Sequence, residues 1–142
     1  MLFDKVALIT GASRGVGYAA AKKLLDKFPG ATIYLTSKTQ EVTHELNEQM
    51  RKDFGEHSGR CEYIHLDVDD ARDVAKVAEA IRNRHKSLDI LINNAGTYDK
   101  PATHDKEEFG KQAMRIVGTN YFGLKNVIQG MRPILTKNGG AR

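Results

Sequence analysis

The sequence predicts an α/β protein of the Rossmann type, a parallel sheet with helices on both faces, incomplete as a doubly wound fold and expected in strand order 3-2-1-4. Two observations predict it. Short apolar runs suited to buried strands alternate with stretches whose apolar residues recur at helical spacing, which implies right-handed crossovers between parallel strands. The run Thr10-Gly11-Ala12-Ser13-Arg14-Gly15-Val16-Gly17 then joins the first strand to the first helix through three glycines. Glycine lets the backbone turn tightly and a phosphate approach closely, and the free N–H groups and dipole of a helix start favour the negative charge.

The elements follow in order. Val6 to Ile9 reads as the first strand, and Ala20, Ala21, Leu24, Leu25 and Phe28 mark the apolar side of the first helix. Ala31 to Leu35 reads as the second strand. Val42, Leu46, Met50 and Phe54 form one stripe of a helix from about Gln40 to Phe54, with Ser37 and Gln40 placed to cap its start. Cys61 to Leu66 is expected as a short third strand. Val74, Val77, Ala78 and Ile81 stripe the next helix, opened by Asp69 and Asp70, whose charges suit a helix N-terminus. Leu88 to Ile92 is the fourth strand. From about Asp105 to Leu135 a long helix is expected, with Phe109, Ile116, Val117, Leu124, Val127 and Met131 on its apolar side and Gly110, Gly118, Gly123 and Gly130 marking bends. Lys137 to Arg142 is a turn signal that ought to introduce a fifth strand, which the sequence does not go on to supply.

Composition narrows the function. The 142 residues amount to a single domain, with apolar content adequate for an ordinary core. No apolar run approaches the ~20 residues of a membrane span, and no leader resembles a signal peptide, so the expectation is a cytoplasmic protein without membrane contact. The net charge of +4 is spread among acids without a basic stripe, which argues against nucleic acid and suits a polyanionic cofactor. The single cysteine, Cys61, has no partner for a disulfide, and the histidines at 44, 57, 65, 85 and 104 show no zinc spacing; no metal site is expected.

Four motifs in order identify the chain as resembling the short-chain dehydrogenase/reductase family, and within it the NADPH-dependent carbonyl reductases. The glycine loop matches T-G-x-x-x-G-x-G. Asp67, followed by Val68 at the end of the third strand, matches the acid that reads the adenine ring. Asn93-Asn94-Ala95-Gly96 matches the N-N-A-G motif bordering the cofactor, and Asn120 matches the helix asparagine of the catalytic tetrad. The resemblance implies cofactor contacts from Gly11, Ser13, Arg14, Gly15, Val16, Gly17, Asp67, Val68 and residues 93–96. An acid about twenty residues past the last glycine would bind the free ribose hydroxyls of NAD; here stands Thr36-Ser37-Lys38. Lys38 and Arg14 occupy family positions for the 2′-phosphate, and two cations near one dianion favour NADP(H) over NAD(H).

The family's proton donor is a tyrosine four residues before a lysine, helped by a serine on the fifth strand, and these fall beyond Arg142. On this reading residues 1–142 form the N-terminal portion of a single dinucleotide-binding domain, with Asn120 in a supporting role only. Tyr18 to Lys22 and Tyr121 to Lys125 repeat the Tyr-x-x-x-Lys spacing away from the family position, and Tyr98 lies in the loop after Gly96. The expected function is the NADP(H)-binding part of an oxidoreductase acting on a small carbonyl substrate, without catalysis by this chain alone. The alternative is a non-catalytic short form that binds NADP or associates with itself or another subunit through the fourth strand or the last helix.

Overall fold

The computed structural model describes residues 5–28, 30–41, 43–98 and 106–135. Its four parallel strands are β1 (Val6–Ile9), β2 (Thr32–Ser37), β3 (Cys61–His65) and β4 (Ile90–Ile92), in the order β3-β2-β1-β4. The helices are α1 (Gly15–Lys27), α2 (Thr43–Phe54), α3 (Ala71–His85), α4 (Lys106–Val117) and α5 (Leu124–Met131). A 3₁₀ segment, Gly55–Arg60, enters β3, and a π-helical segment, Gly118–Gly123, joins α4 to α5.

Alternation along the strands divides the core in two. Ala7, Ile9, Ile33 and Leu35 face Ala21 and Leu25 of α1 and Met50 and Phe54 of α2. Val6, Leu8 and Tyr34 face Val74, Val77 and Ile81 of α3 and Val127 and Met131 of α5. Every residue of β1 is buried, because it is central and covered on both faces.

The departures from the sequence reading have local causes. β2 runs on to Ser37 because Thr36 and Ser37 still pair with Ile64 and His65. Ser37 is therefore a buried strand residue and not a helix cap; its hydroxyl meets the Thr39 N–H at 3.3 Å, and α2 begins only at Thr43. Val42, Asp105 and residues 137–142 lie outside the described residues.

At β4 the expected start at Leu88 fails because Asp89 intervenes. Its carboxylate accepts from the Val6 N–H at 2.9 Å and meets Lys5 Nζ at 2.7 Å, tying the lower ends of β1 and β4 together. Leu88, fully buried, pairs with another neighbour: it forms an isolated parallel bridge with Leu135, its N–H donating to the Ile134 carbonyl at 2.8 Å. The chain after α5 thus begins to pair beside the lead-in to β4.

The long helix is broken at the π-helical segment and ends at Met131, ahead of Pro133. Its glycines also do more than bend it. A β-carbon on Gly130 would stand 2.4 Å from Val74 Cγ1, so glycine lets α5 lie against α3. The apolar side expected for the whole stretch is buried only at Val127 and Met131; Phe109, Val117 and Leu124 are exposed.

Candidate functional site

The carboxyl ends of the strands open into a cleft of about 960 Å³, lined by the glycine loop, by Ser37 to Thr39, by Leu66 to Asp69, by Asn94 to Thr97 and by Met114, Arg115, Gly118 and Thr119. That is where an open α/β sheet binds ligands, beside the point at which strand order reverses.

The glycine loop continues the sheet ladder before leaving it. The Thr10 N–H donates to the Ile92 carbonyl at 3.0 Å and the Ala12 N–H to the Thr36 carbonyl at 2.9 Å. Gly11 stands at φ +61°, and a β-carbon there would lie 2.6 Å from Ala95 Cα, so the loop after β4 packs directly on it. A β-carbon on Gly17 would lie 2.5 Å from Asn94 Nδ2. Gly15, at φ +63°, has open space before it. The first turn of α1 contains no acid, and Arg14 supplies no side-chain cap to it, so its first N–H groups are left without a carboxylate from their own turn.

Two side chains fix the loop after β4. Thr10 Oγ1, buried, accepts the N–H groups of Asn94 and Ala95, each at 3.0 Å. Asn94 Nδ2 returns to the carbonyls of Thr10 and Gly11 at 3.1 and 2.9 Å. From below, the buried Tyr63 hydroxyl donates to the Ala12 carbonyl, and burial pushes its pKa above the ordinary phenol value. Thr10, Thr36 and Tyr63 were not singled out as site residues from the sequence. Thr10 opens the glycine motif, but that its hydroxyl faces Asn94 depends on the sheet bringing residues 84 apart together.

At the opposite wall Lys38 Nζ lies 3.2 Å from Asp67 Oδ2 and 3.4 Å from Asp69 Oδ2. Partial burial pulls its pKa down, but hydrogen bonds and charge from the two carboxylates outweigh this and hold it above the usual lysine value. Asp67 also takes the Asp69 N–H at 3.0 Å, and Asp69 takes the Thr119 hydroxyl at 2.9 Å. Arg14 is exposed, and among the described residues no ion pair engages it.

Of the expected site residues, Gly11, Ser13, Arg14, Gly15, Val16, Lys38, Asp67, Val68, Asn94, Ala95 and Gly96 line the cleft. Gly17 lies behind the loop, and Asn93 is exposed outside the lining. Asn120, on the π-helical segment, pairs with the backbone of Thr97: its Oδ1 accepts the N–H at 2.8 Å and its Nδ2 donates to the carbonyl at 3.0 Å. It thereby holds the loop that carries residues 93–98.

The other chemistry-bearing residues face elsewhere. The Tyr18 hydroxyl is taken by Asp53 of α2, and Tyr121 is exposed against Phe122. No tyrosine lines the cleft among the described residues. Burial pushes the Cys61 thiol up to about 12, which keeps it protonated and inert. No cluster of metal-ligating side chains occurs among the described residues.

A sheet in this order, a glycine turn into α1 and an Asn-Asn-Ala-Gly loop locked to it define a class, and the comparison with known families agrees: the model for short chain dehydrogenase matches residues 5–142, and the chain belongs to that oxidoreductase family. Carbonyl reductase [NADPH] 1 of Bos taurus is 30% identical over 135 residues, covering 94% of this chain and 46% of the relative. The chain therefore spans about half the length of the curated relatives it matches. Among solved structures, menthone neomenthol reductase from Mentha piperita superposes with a TM-score of 0.79 at 26% identity, over 95% of this chain and 57% of that one. The Pseudomonas aeruginosa RhlG/NADP active-site complex gives 0.78 at 26% identity, over 96% of this chain and 50% of the other. No helix among the described residues is long and apolar enough to cross a membrane.

Proposed function

We propose that this chain binds NADP(H) in the cleft above β1 to β4, as the nucleotide-holding portion of a carbonyl-reducing oxidoreductase. The observation that carries the reading is an uncapped, acid-free α1 start with two cations, Arg14 and Lys38, lining the same cleft. The pyrophosphate is assigned to the N–H groups of Gly15 and Val16, where Gly15 leaves room. The 2′-phosphate is assigned to Arg14 and Lys38, and it draws Lys38 from Asp69 as it enters. Asp67 and Val68 border the adenine, and residues 94–96 border the nicotinamide ribose. The cofactor, when bound, supplies a hydride to a carbonyl carbon.

Within these residues the proton-transfer partner is not assembled: the hydroxyls of Tyr18 and Tyr121 stand outside the cleft, and Asn120 is occupied with Thr97. The chain alone accordingly binds cofactor without turning it over. The bovine relative is named for NADPH, and the bacterial RhlG structure is of a complex with NADP. Both lend weight to the same choice of cofactor here.

Calorimetric titration of the chain with NADPH and with NADH tests the reading. We expect NADPH to bind at least about tenfold more tightly, and Lys38→Ala to remove most of that preference. Equal affinity for the two would overturn it. A second reading, self-association, is favoured by the exposed apolar face of Phe109, Val117, Tyr121, Phe122 and Ile128 on α4, the π-helical segment and α5. It predicts a dimer in sedimentation that charged substitutions at Phe109 and Ile128 dissociate.

A further inference from the structure

β2 makes its last ladder contact when the Leu66 N–H donates to the Ser37 carbonyl at 2.9 Å. One residue on, the Lys38 carbonyl is met by a side chain: His65 Nε2 donates to it at 2.9 Å. The other ring nitrogen, Nδ1, stands 3.2 Å from Asp73 Oδ2. Asp73 is buried in the first turn of α3, where its second oxygen lies 3.2 Å from Lys76 Nζ. A carbonyl only accepts, so Nε2 is the donor to Lys38, and the ring lies between the Asp73 carboxylate at the start of α3 and the loop that carries Lys38.

We infer that His65, braced by Asp73, is a positioning residue for cofactor selectivity: it fixes the backbone at Lys38 and so places the ammonium at the 2′-phosphate end of NADP(H). The inference rests on the reading that this cleft takes NADP(H). It goes further in naming a residue that lines no part of the cleft and acts only through the main chain of one that does. NADH has no 2′-phosphate, so its binding is indifferent to where Lys38 stands. Arg14 belongs to the glycine loop and is untouched by His65, so part of the preference for NADPH survives its loss.

The test is a double-variant cycle on the chain, titrated with NADPH and NADH. In His65→Leu, NADPH binding should weaken about five- to tenfold with NADH binding unchanged. In the Lys38→Ala background the same change should have no further effect, since the residue it acts through is gone. His65→Gln, which keeps a donor for the carbonyl, should recover part of the loss. Equal weakening of both cofactors, or an undiminished effect without Lys38, would show a general structural role and overturn the inference. A wild-type chain that does not prefer NADPH overturns the underlying reading and this inference with it, and it shows in the first titration, before any variant. Should His65→Leu fail to fold by circular dichroism, His65→Gln is read in the same cycle by the same criteria.

Discussion

The two walls of the cleft are built on different principles. Beneath the glycine loop all four residues of β1 and five of the six in β2 are buried, whereas none of the three in β4 is, and α4 contributes no buried residue at all. The phosphate side is held in place by close packing of backbone on backbone. The side after β4 meets that packing at Asn94 and Ala95, and beyond it is held by separate side-chain hydrogen bonds: Thr10 and Asn94 at its root and Asn120 at its outer end. Packing of the first kind tolerates no added volume. Side-chain ties fail one at a time, and each failure loosens a few residues.

The largest break is therefore expected on the packed side. Gly11→Val places a branched side chain at positive φ against Ala95 Cα, a backbone atom that cannot rotate away. We expect a loss of about 3 kcal/mol or more of unfolding free energy, from strain and overpacking together, read by denaturant unfolding. Gly15→Ala, at similar φ but facing open space, should lose only about 1 kcal/mol. Equal losses at the two positions would mean that backbone angle alone matters and that the contact with Ala95 does not.

Next comes the root of the other wall. Thr10→Val keeps the shape of the side chain but leaves the Asn94 and Ala95 N–H groups without the acceptor they share. A loss of about 2 kcal/mol is expected. Amide hydrogen exchange should quicken at both residues while the β1 to β2 ladder stays protected. Faster exchange throughout β1 and β2 would show that the two walls unfold as one.

This contrast also explains what could be read from the sequence. β1, α1 and the stripe of α3 were legible because burial on a regular element leaves a period: Val74, Val77, Ala78 and Ile81 are all in the core. The glycine loop, Asp67 and the Asn-Asn-Ala-Gly run were legible as motifs, and most of their residues line one cleft. The partners were not legible. That Tyr63 supports Ala12, that Asp69 stands between Lys38 and Thr119, and that His65 reaches the Lys38 carbonyl all depend on which residues adjoin after the sheet forms. The helix from Lys106 misled for another reason. Its apolar positions do recur at helical spacing, but before Val127 Phe109, Val117 and Leu124 are exposed and Ile116 is only half-buried, so periodicity reported a surface that this part of the fold does not fully bury.

The outer tie on the weaker wall should produce a smaller effect than its root. Asn120→Ala removes two hydrogen bonds to Thr97, but they are exposed, and water replaces both. A change of no more than about 1 kcal/mol in stability is expected. The informative readout is local: the Thr97 amide should exchange faster while Asn94 and Ala95 remain protected by Thr10. Loss of protection at Asn94 as well would make Asn120 a root contact too, and the wall would then be a single cooperative unit.

The smallest effect is expected at the α3 start, which follows the cleft-lining run Leu66 to Asp69, and it depends on pH. Asp70 caps α3 by accepting the Arg72 N–H at 2.8 Å, and it pairs with the Arg72 guanidinium. The Arg72 side-chain and backbone hydrogen bonds hold its carboxyl at about 2, below the ordinary value of ~4. A carboxyl depressed in the folded state contributes stability that is fully present above its unfolded value and is lost as pH falls through its folded one. Asp70→Ala should accordingly lower the melting temperature slightly at neutral pH, and the gap from wild type should close between about pH 4 and pH 2. Asp70→Asn keeps an oxygen for the N–H but no charge, so it should fall between the two at neutral pH and vary less with acid. Since Arg72 is exposed, 0.5 M salt should shrink the difference between Asp and Asn while leaving that between Asn and Ala. If both variants melt together with wild type at neutral pH, the cap contributes nothing and the order of α3 comes entirely from Val74, Val77 and Ile81 in the core.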